Sequence, residues 1–166
     1  MFERYSILAR QAVIIARMEA GRAGVGSLDT EHMLLGIVCV NPEVFKQLKV
    51  DVLPDPIRAR SRQWHPSSDP IPESTDLPIT SDMGNVFERA ASISDGQRCQ
   101  EIRTEHLLLS MLEGPGHAAG ILADLGIAKE QLLTWLESVV RKEPQIESEA
   151  SLKAMKLIFP NETNAK

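Results

Sequence analysis

The chain has 166 residues, 43% hydrophobic and 25% charged, an ordinary balance for a globular domain able to bury roughly two-thirds of its unfolded surface. Aromatic residues make up only 4%, so the core falls to Leu, Ile, Val, Ala and Met, which favours helices over strands. The net charge of −5 divides into +2 over residues 1–64 and −7 beyond them, which speaks against a basic nucleic-acid-binding face.

Ser6 predicts the N-cap of a first helix whose Leu8, Ala12, Ile15 and Ala16 share one face. Gly21, Gly24 and Gly26 end it. Thr30 predicts the cap of a second helix, with Glu31 in its first turn facing the positive end of the helix dipole. Asn41-Pro42 opens a short third helix and Asp55-Pro56 a fourth. Residues 65–78 hold four prolines and little apolar pattern and read as an exposed, extended linker. Thr80 and Thr104 predict the caps of a fifth and a sixth helix. Gly114-Pro115-Gly116 turns the chain into "HAAGILADLGI" and "AKEQLLTWLESVV", the seventh and eighth. Leu152, Met155 and Phe159 predict a docking helix in the tail.

The second half repeats the first. "TEHMLLGIV" at Thr30 and "TEHLLLSML" at Thr104 stand 74 residues apart, and Val86, Phe87 and Ala90 answer Ala12, Val13 and Ala16 at the same offset. Beyond the Gly-Pro-Gly turn the offset becomes 77, pairing Leu48 with Leu125. The expected fold is all-α: two pseudo-symmetric four-helix repeats over residues 1–64 and 79–142, the 65–78 linker between them, and a C-terminal tail over 143–166.

The chemistry points away from catalysis. Glu31 and His32, like Glu105 and His106, are helix neighbours about 100° apart and cannot easily face one substrate. Neither repeat has HExxH spacing, so no metal site and no cofactor are expected. "GRAGVGS" at Gly21 lacks the lysine of a phosphate-binding loop. His32 and His106 read as structural, bonding backbone near their helix starts. Met18, Met33, Met83 and Met111 read as core before partner surface. Cys39 and Cys99 form no CxxC pair and read as reduced, buried thiols of a cytoplasmic protein. Glu3, Arg4 and Arg10 interrupt any signal-like apolar segment, and no run is long enough to cross a membrane. Ser6, Glu31, Thr80 and Glu105 admit two readings. They are helix caps and first-turn acids, or they form binding sites in which helix-start N–H groups take an anion and the carboxylates a cation.

The doubled run, Thr30-Glu31-His32-Met33-Leu34-Leu35 and Thr104-Glu105-His106-Leu107-Leu108-Leu109, with Tyr5-Ser6 and Ile79-Thr80 opening the repeats and Leu122-Ala123-Asp124-Leu125-Gly126-Ile127 closing a third helix, resembles the N-terminal domain of Clp-type AAA+ unfoldases. The resemblance covers residues 1 to about 141. Asp29 and Arg103 stand where that family usually has glycine. It implies a free-standing, non-catalytic protein-binding module, an accessory or adaptor of a Clp chaperone–protease. Its partners would be Clp ATPase or protease subunits, adaptor proteins or unfolded substrates, with no nucleic acid and no membrane. A structural accessory docking on the protease ring is the alternative, and a small hydrolase the alternative of another class. By the same resemblance, Ser6 with Glu31 and Thr80 with Glu105 are candidate phospho-arginine sites. Arg103 beside Glu105 favours the second and Asp29 weakens the first.

Overall fold

The computed structural model describes residues 2–66 and 68–142. Eight α-helices follow in order: α1 (Ile7–Arg22), α2 (Thr30–Val40), α3 (Pro42–Gln47), α4 (Pro54–Trp64), α5 (Ser81–Gly96), α6 (Thr104–Glu113), α7 (His117–Asp124) and α8 (Lys129–Lys142). The helices repeat as α1–α4 and α5–α8, as the 74-residue echo requires. The expected tail helix at Leu152, Met155 and Phe159 lies outside the described residues.

The two repeats are laced together by backbone. Ser6 N–H donates to the Ile102 carbonyl and Ile102 N–H to that of Arg4, while Leu28 N–H donates to Pro78 and Thr80 N–H to Leu28. These bonds form two short parallel bridges, Tyr5 with Ile102 and Leu28 with Ile79. The strand entering α1 therefore lies beside the strand entering α6, and the strand entering α5 beside the one entering α2. Around these crossings, buried residues from both repeats make one continuous apolar cluster, from Ala9 and Leu34 to Leu108 and Leu136.

The sequence dictates most of the helix starts. The Ser6 hydroxyl accepts from Ala9 N–H at 3.3 Å and the Thr80 hydroxyl from Met83 N–H at 3.2 Å, so both cap as expected. Thr30 and Thr104 do not: each is the first residue of its helix, and Asp29 and Arg103 are the N-caps. Their hydroxyls are used across the repeats. Thr30 Oγ1 accepts from Ala118 N–H at 3.2 Å, capping the start of α7. Thr104 Oγ1 accepts from the Asn41 amide at 2.9 Å, at the entrance to α3.

Met33, Met83 and Met111 are fully buried, which makes them core. Met18 is half-buried. The thiols depart from expectation: Cys39 is exposed and Cys99 half-buried, because Cys39 sits on the solvent side of the last turn of α2. Residues 65–78 form no helix or strand among those described. They are held down by Ile71 N–H donating to the Gly21 carbonyl and by Arg17 donating to Glu73 and Thr75 carbonyls. α4 is tied to α1 by Arg58, which grips the buried Glu19 carboxylate with two hydrogen bonds of 2.9 and 2.7 Å and holds its pKa below the ordinary range.

The tightest packing is α1 on α2. A Cβ on Gly36 would lie 2.1 Å from the Ala12 carbonyl oxygen, so only glycine admits this approach. The corresponding residue of the second repeat is Ser110, whose hydroxyl donates to the Val86 carbonyl at 2.8 Å. The same crossing thus occurs at two separations, set by one side chain. Gly36→Ser, which imports the second repeat's own residue, is expected to cost about 1–3 kcal/mol through forced helix separation. Ser110→Ala should cost only about 0.5–1.5 kcal/mol for a lost hydrogen bond. Urea unfolding of both variants checks this, and a neutral Gly36→Ser contradicts the close approach.

Candidate functional site

The starts of α2 and α6 are built alike. Asp29 is extended, and its Oδ1 accepts from Thr30 N–H at 2.7 Å and from the Thr80 hydroxyl at 3.1 Å. Three residues on, His32 Nδ1 accepts from Asp29 N–H at 3.1 Å. At α6, His106 Nδ1 accepts from Arg103 N–H at 2.8 Å. The histidine does the work that glutamate or glutamine does in a capping box, which is the structural role its position suggested. With Nδ1 accepting, Nε2 carries the proton, and in His106 it donates to Gln97 Oε1 at 3.1 Å. The residue matching Gln97 in the first repeat is Ala23, which has no side-chain acceptor, and His32 Nε2 has no hydrogen-bond partner among the described residues. It lies beside a cleft of about 620 Å³ lined also by Glu19, Arg22, Arg58, Arg62 and His65.

Between cap and histidine each helix carries a buried glutamate. Glu31 has no exposed surface and Glu105 only 2%. Glu105 is met by the Thr104 hydroxyl at 3.1 Å and the Asn41 amide at 3.4 Å. Glu31 is met by two histidines. His65 Nε2 lies 2.6 Å from Oε1, and His117 Nδ1 lies 3.3 Å from Oε2. His65 is the C-cap of α4 and His117 the first residue of α7. Trp64 stacks flat on His117, ring centroids 3.9 Å apart and planes 6° from parallel, which fixes the imidazole.

The geometry changes the expected partnerships. Ser6 stands at Ile102, next to the start of α6, and Thr80 bonds Asp29, at the start of α2. The helix starts therefore meet crosswise, Ser6 on the Glu105 side and Thr80 on the Glu31 side. The expected pairing set Ser6 with Glu31 and Thr80 with Glu105; the backbone contacts bring Ser6 beside Ile102 and the Thr80 hydroxyl to Asp29 instead. Motif spacing along the chain singles out no metal ligands, but the fold gathers four ligand-type side chains at the start of α2. Asp29, Glu31, His65 and His117 bring one ligand-type atom each within 4.8 Å of all the others. Motif spacing missed them because it inspects neighbours along the chain, whereas His65 and His117 are 34 and 86 residues from Glu31. The one hint was that a third helix opens on histidine.

Comparison with known proteins gives a consistent picture. Residues 78–157 match the Clp repeat (R) N-terminal domain family. The chain is 30% identical over 146 residues to the chloroplastic chaperone protein ClpD of Arabidopsis thaliana, covering 81% of this chain but 15% of that protein. The crystal structure of the N-terminal domain of Arabidopsis thaliana ClpD superposes with a TM-score of 0.68 at 24% identity, covering 82% of this chain and 97% of that one. The Hsp104 N-terminal domain from Candida albicans gives a TM-score of 0.62 at 19% identity, covering 80% and 88%. The chain thus spans about 15% of the length of the ClpD relative it matches.

Burial pushes the His106 pKa down to about 4, with Arg103 adding to the effect. Unfolded, the ring takes a proton near pH 6.5. Between those values the unfolded chain binds the extra proton. Stability is therefore expected to fall as pH drops from about 6.5 towards 4, by at most about 1.4 kcal/mol per pH unit from this group. His106→Gln keeps a side-chain acceptor for Arg103 N–H and removes the titration. Urea unfolding of parent and variant across this range should show stability curves that converge as pH falls, and a constant difference contradicts the assignment.

Proposed function

Because the chain carries a Clp repeat N-terminal domain, we propose that it is a non-catalytic protein-recognition module that presents substrate or adaptor proteins to Clp ATPase or protease subunits. The observation that carries this reading is the pair of buried glutamates, each at a helix start that lies beside the hydroxyl-capped start of a helix from the other repeat. That combination suits a ligand with a cation and an anion close together. The carboxylate takes a guanidinium, and the capping hydroxyl with helix-start N–H groups takes a phosphate. Phospho-arginine on a protein substrate has this chemistry.

The two starts differ in readiness. At α6, Ser6, Arg103 and Glu105 combine hydroxyl, positive charge and carboxylate, and the Asn41 amide contact to Glu105 is long at 3.4 Å. At α2, Thr80 and Glu31 are flanked by Asp29, and His65 and His117 already occupy both oxygens of Glu31. The α6 start is the stronger site. No helix among the described residues is long and apolar enough to cross a membrane. The names of several matched relatives, ClpD and ClpC1 of Arabidopsis thaliana among them, place those proteins in chloroplasts, so they lend no support to a cytoplasmic setting.

Calorimetry with a phospho-arginine peptide tests the ligand. Binding to the parent that is abolished by Glu105→Gln and little altered by Glu31→Gln is the expected result. Absence of heat from the parent overturns the ligand assignment, and loss confined to Glu31→Gln overturns the choice of site.

A further inference from the structure

We propose that Asp29, Glu31, His65 and His117 form a binding site for one divalent transition-metal ion, of the zinc type, which pins the α2 start of the first repeat to the α7 start of the second.

A carboxylate removed from water needs positive charge close by or coordination to a metal. Glu31 is entirely buried, and each of its oxygens faces an imidazole nitrogen. An imidazole and a carboxylate that share a metal ion face each other with both lone pairs turned inward. Two imidazoles and two carboxylates form a donor set that suits Zn²⁺.

The distances fit with little movement. Four ligands at about 2.0–2.2 Å from a tetrahedral ion stand roughly 3.3–3.6 Å apart. His117 Nδ1 and Glu31 Oε2 are already 3.3 Å apart, His65 Nε2 and Glu31 Oε1 are 2.6 Å apart, and all four ligand atoms fall within 4.8 Å. Asp29 Oδ1 accepts from Thr30 N–H and the Thr80 hydroxyl, which anchors the carboxylate at the α2 start, and one of its oxygens lies within 4.8 Å of the other ligand atoms.

The surroundings hold the ligands in place, as the outer partners of a metal site do. Trp64 stacks on His117, and the Arg60 guanidinium lies 5.6 Å from the Trp64 ring centroid. Thr30 caps α7 at Ala118, next to His117, and Gly116 has φ 108° where a Cβ would meet Thr30 Oγ1 at 2.6 Å. The histidine side chains are 24% and 37% exposed, which leaves an entry path from solvent to the buried carboxylate.

The ligands come from the start of α2, the end of α4 and the start of α7. An ion there cross-links both repeats where the 65–78 segment departs. It also engages Glu31, so a guanidinium finds its carboxylate at α6 alone. The ion site stands on its own geometry and does not rest on the peptide-binding reading.

The test uses the full chain stripped of metal with EDTA and titrated with ZnCl₂ by calorimetry, with MgCl₂ in parallel. One Zn²⁺ per chain is expected, with a raised melting temperature and little Mg²⁺ binding, since Mg²⁺ prefers octahedral oxygen ligands. His65→Gln and His117→Gln should each weaken Zn²⁺ by at least about tenfold, while His106→Gln leaves it unchanged. The visible spectrum of the parent loaded with Co²⁺, which needs no variant, should show the strong absorption of four-coordinate cobalt. No Zn²⁺ binding, affinity undiminished in both histidine variants, equal affinity for Mg²⁺, or a weak octahedral Co²⁺ spectrum each overturns the proposal.

Discussion

Four backbone hydrogen bonds exchange the entrances of the repeats: Ser6 to Ile102, Ile102 to Arg4, Leu28 to Pro78 and Thr80 to Leu28. Each repeat thereby borrows the first residues of the other, and much of the molecule follows from that constraint. It brings Thr80 to Asp29 and Ser6 to the start of α6. The two TEH helices share one core, and each TEH threonine can bond the third helix of the opposite repeat. Buried backbone groups need partners, and here the partners lie in the other repeat.

Duplication supplies a symmetric frame, and single substitutions break the symmetry where chemistry is concerned. Gly36 against Ser110 sets two helix spacings from one crossing. Ala23 against Gln97 leaves one TEH histidine without the acceptor that satisfies the other. Asp29 against Arg103 gives the two helix starts opposite charge, and only the first gathers histidines about its glutamate. One frame thus presents two different buried carboxylates, one grouped with two histidines and an aspartate and one beside a threonine and an asparagine.

Much of this was legible in the sequence because it is local. Ser6 and Thr80 announce α1 and α5 by capping chemistry, and Asn41-Pro42 announces α3. The repeated TEH run gives the all-α duplication. What was misread is what depends on the exchange. Thr30 and Thr104 look like caps because threonine favours that position, but their hydroxyls are needed 88 and 63 residues away. Cys39 looks buried because the helix around it is apolar, yet it falls on the outer side of the last turn. His65 and His117 belong to no motif, and only the meeting of α4, α2 and α7 makes them neighbours of Glu31.

The two repeats form one interlocked body. Separate expression of residues 1–78 and 79–142, followed by thermal unfolding of each half and of the equimolar mixture, tests this most directly. Neither half alone should unfold cooperatively, because each lacks the strand that the other supplies, and the mixture should recover a cooperative transition. Two halves that each melt cooperatively on their own, with no change on mixing, would contradict the account.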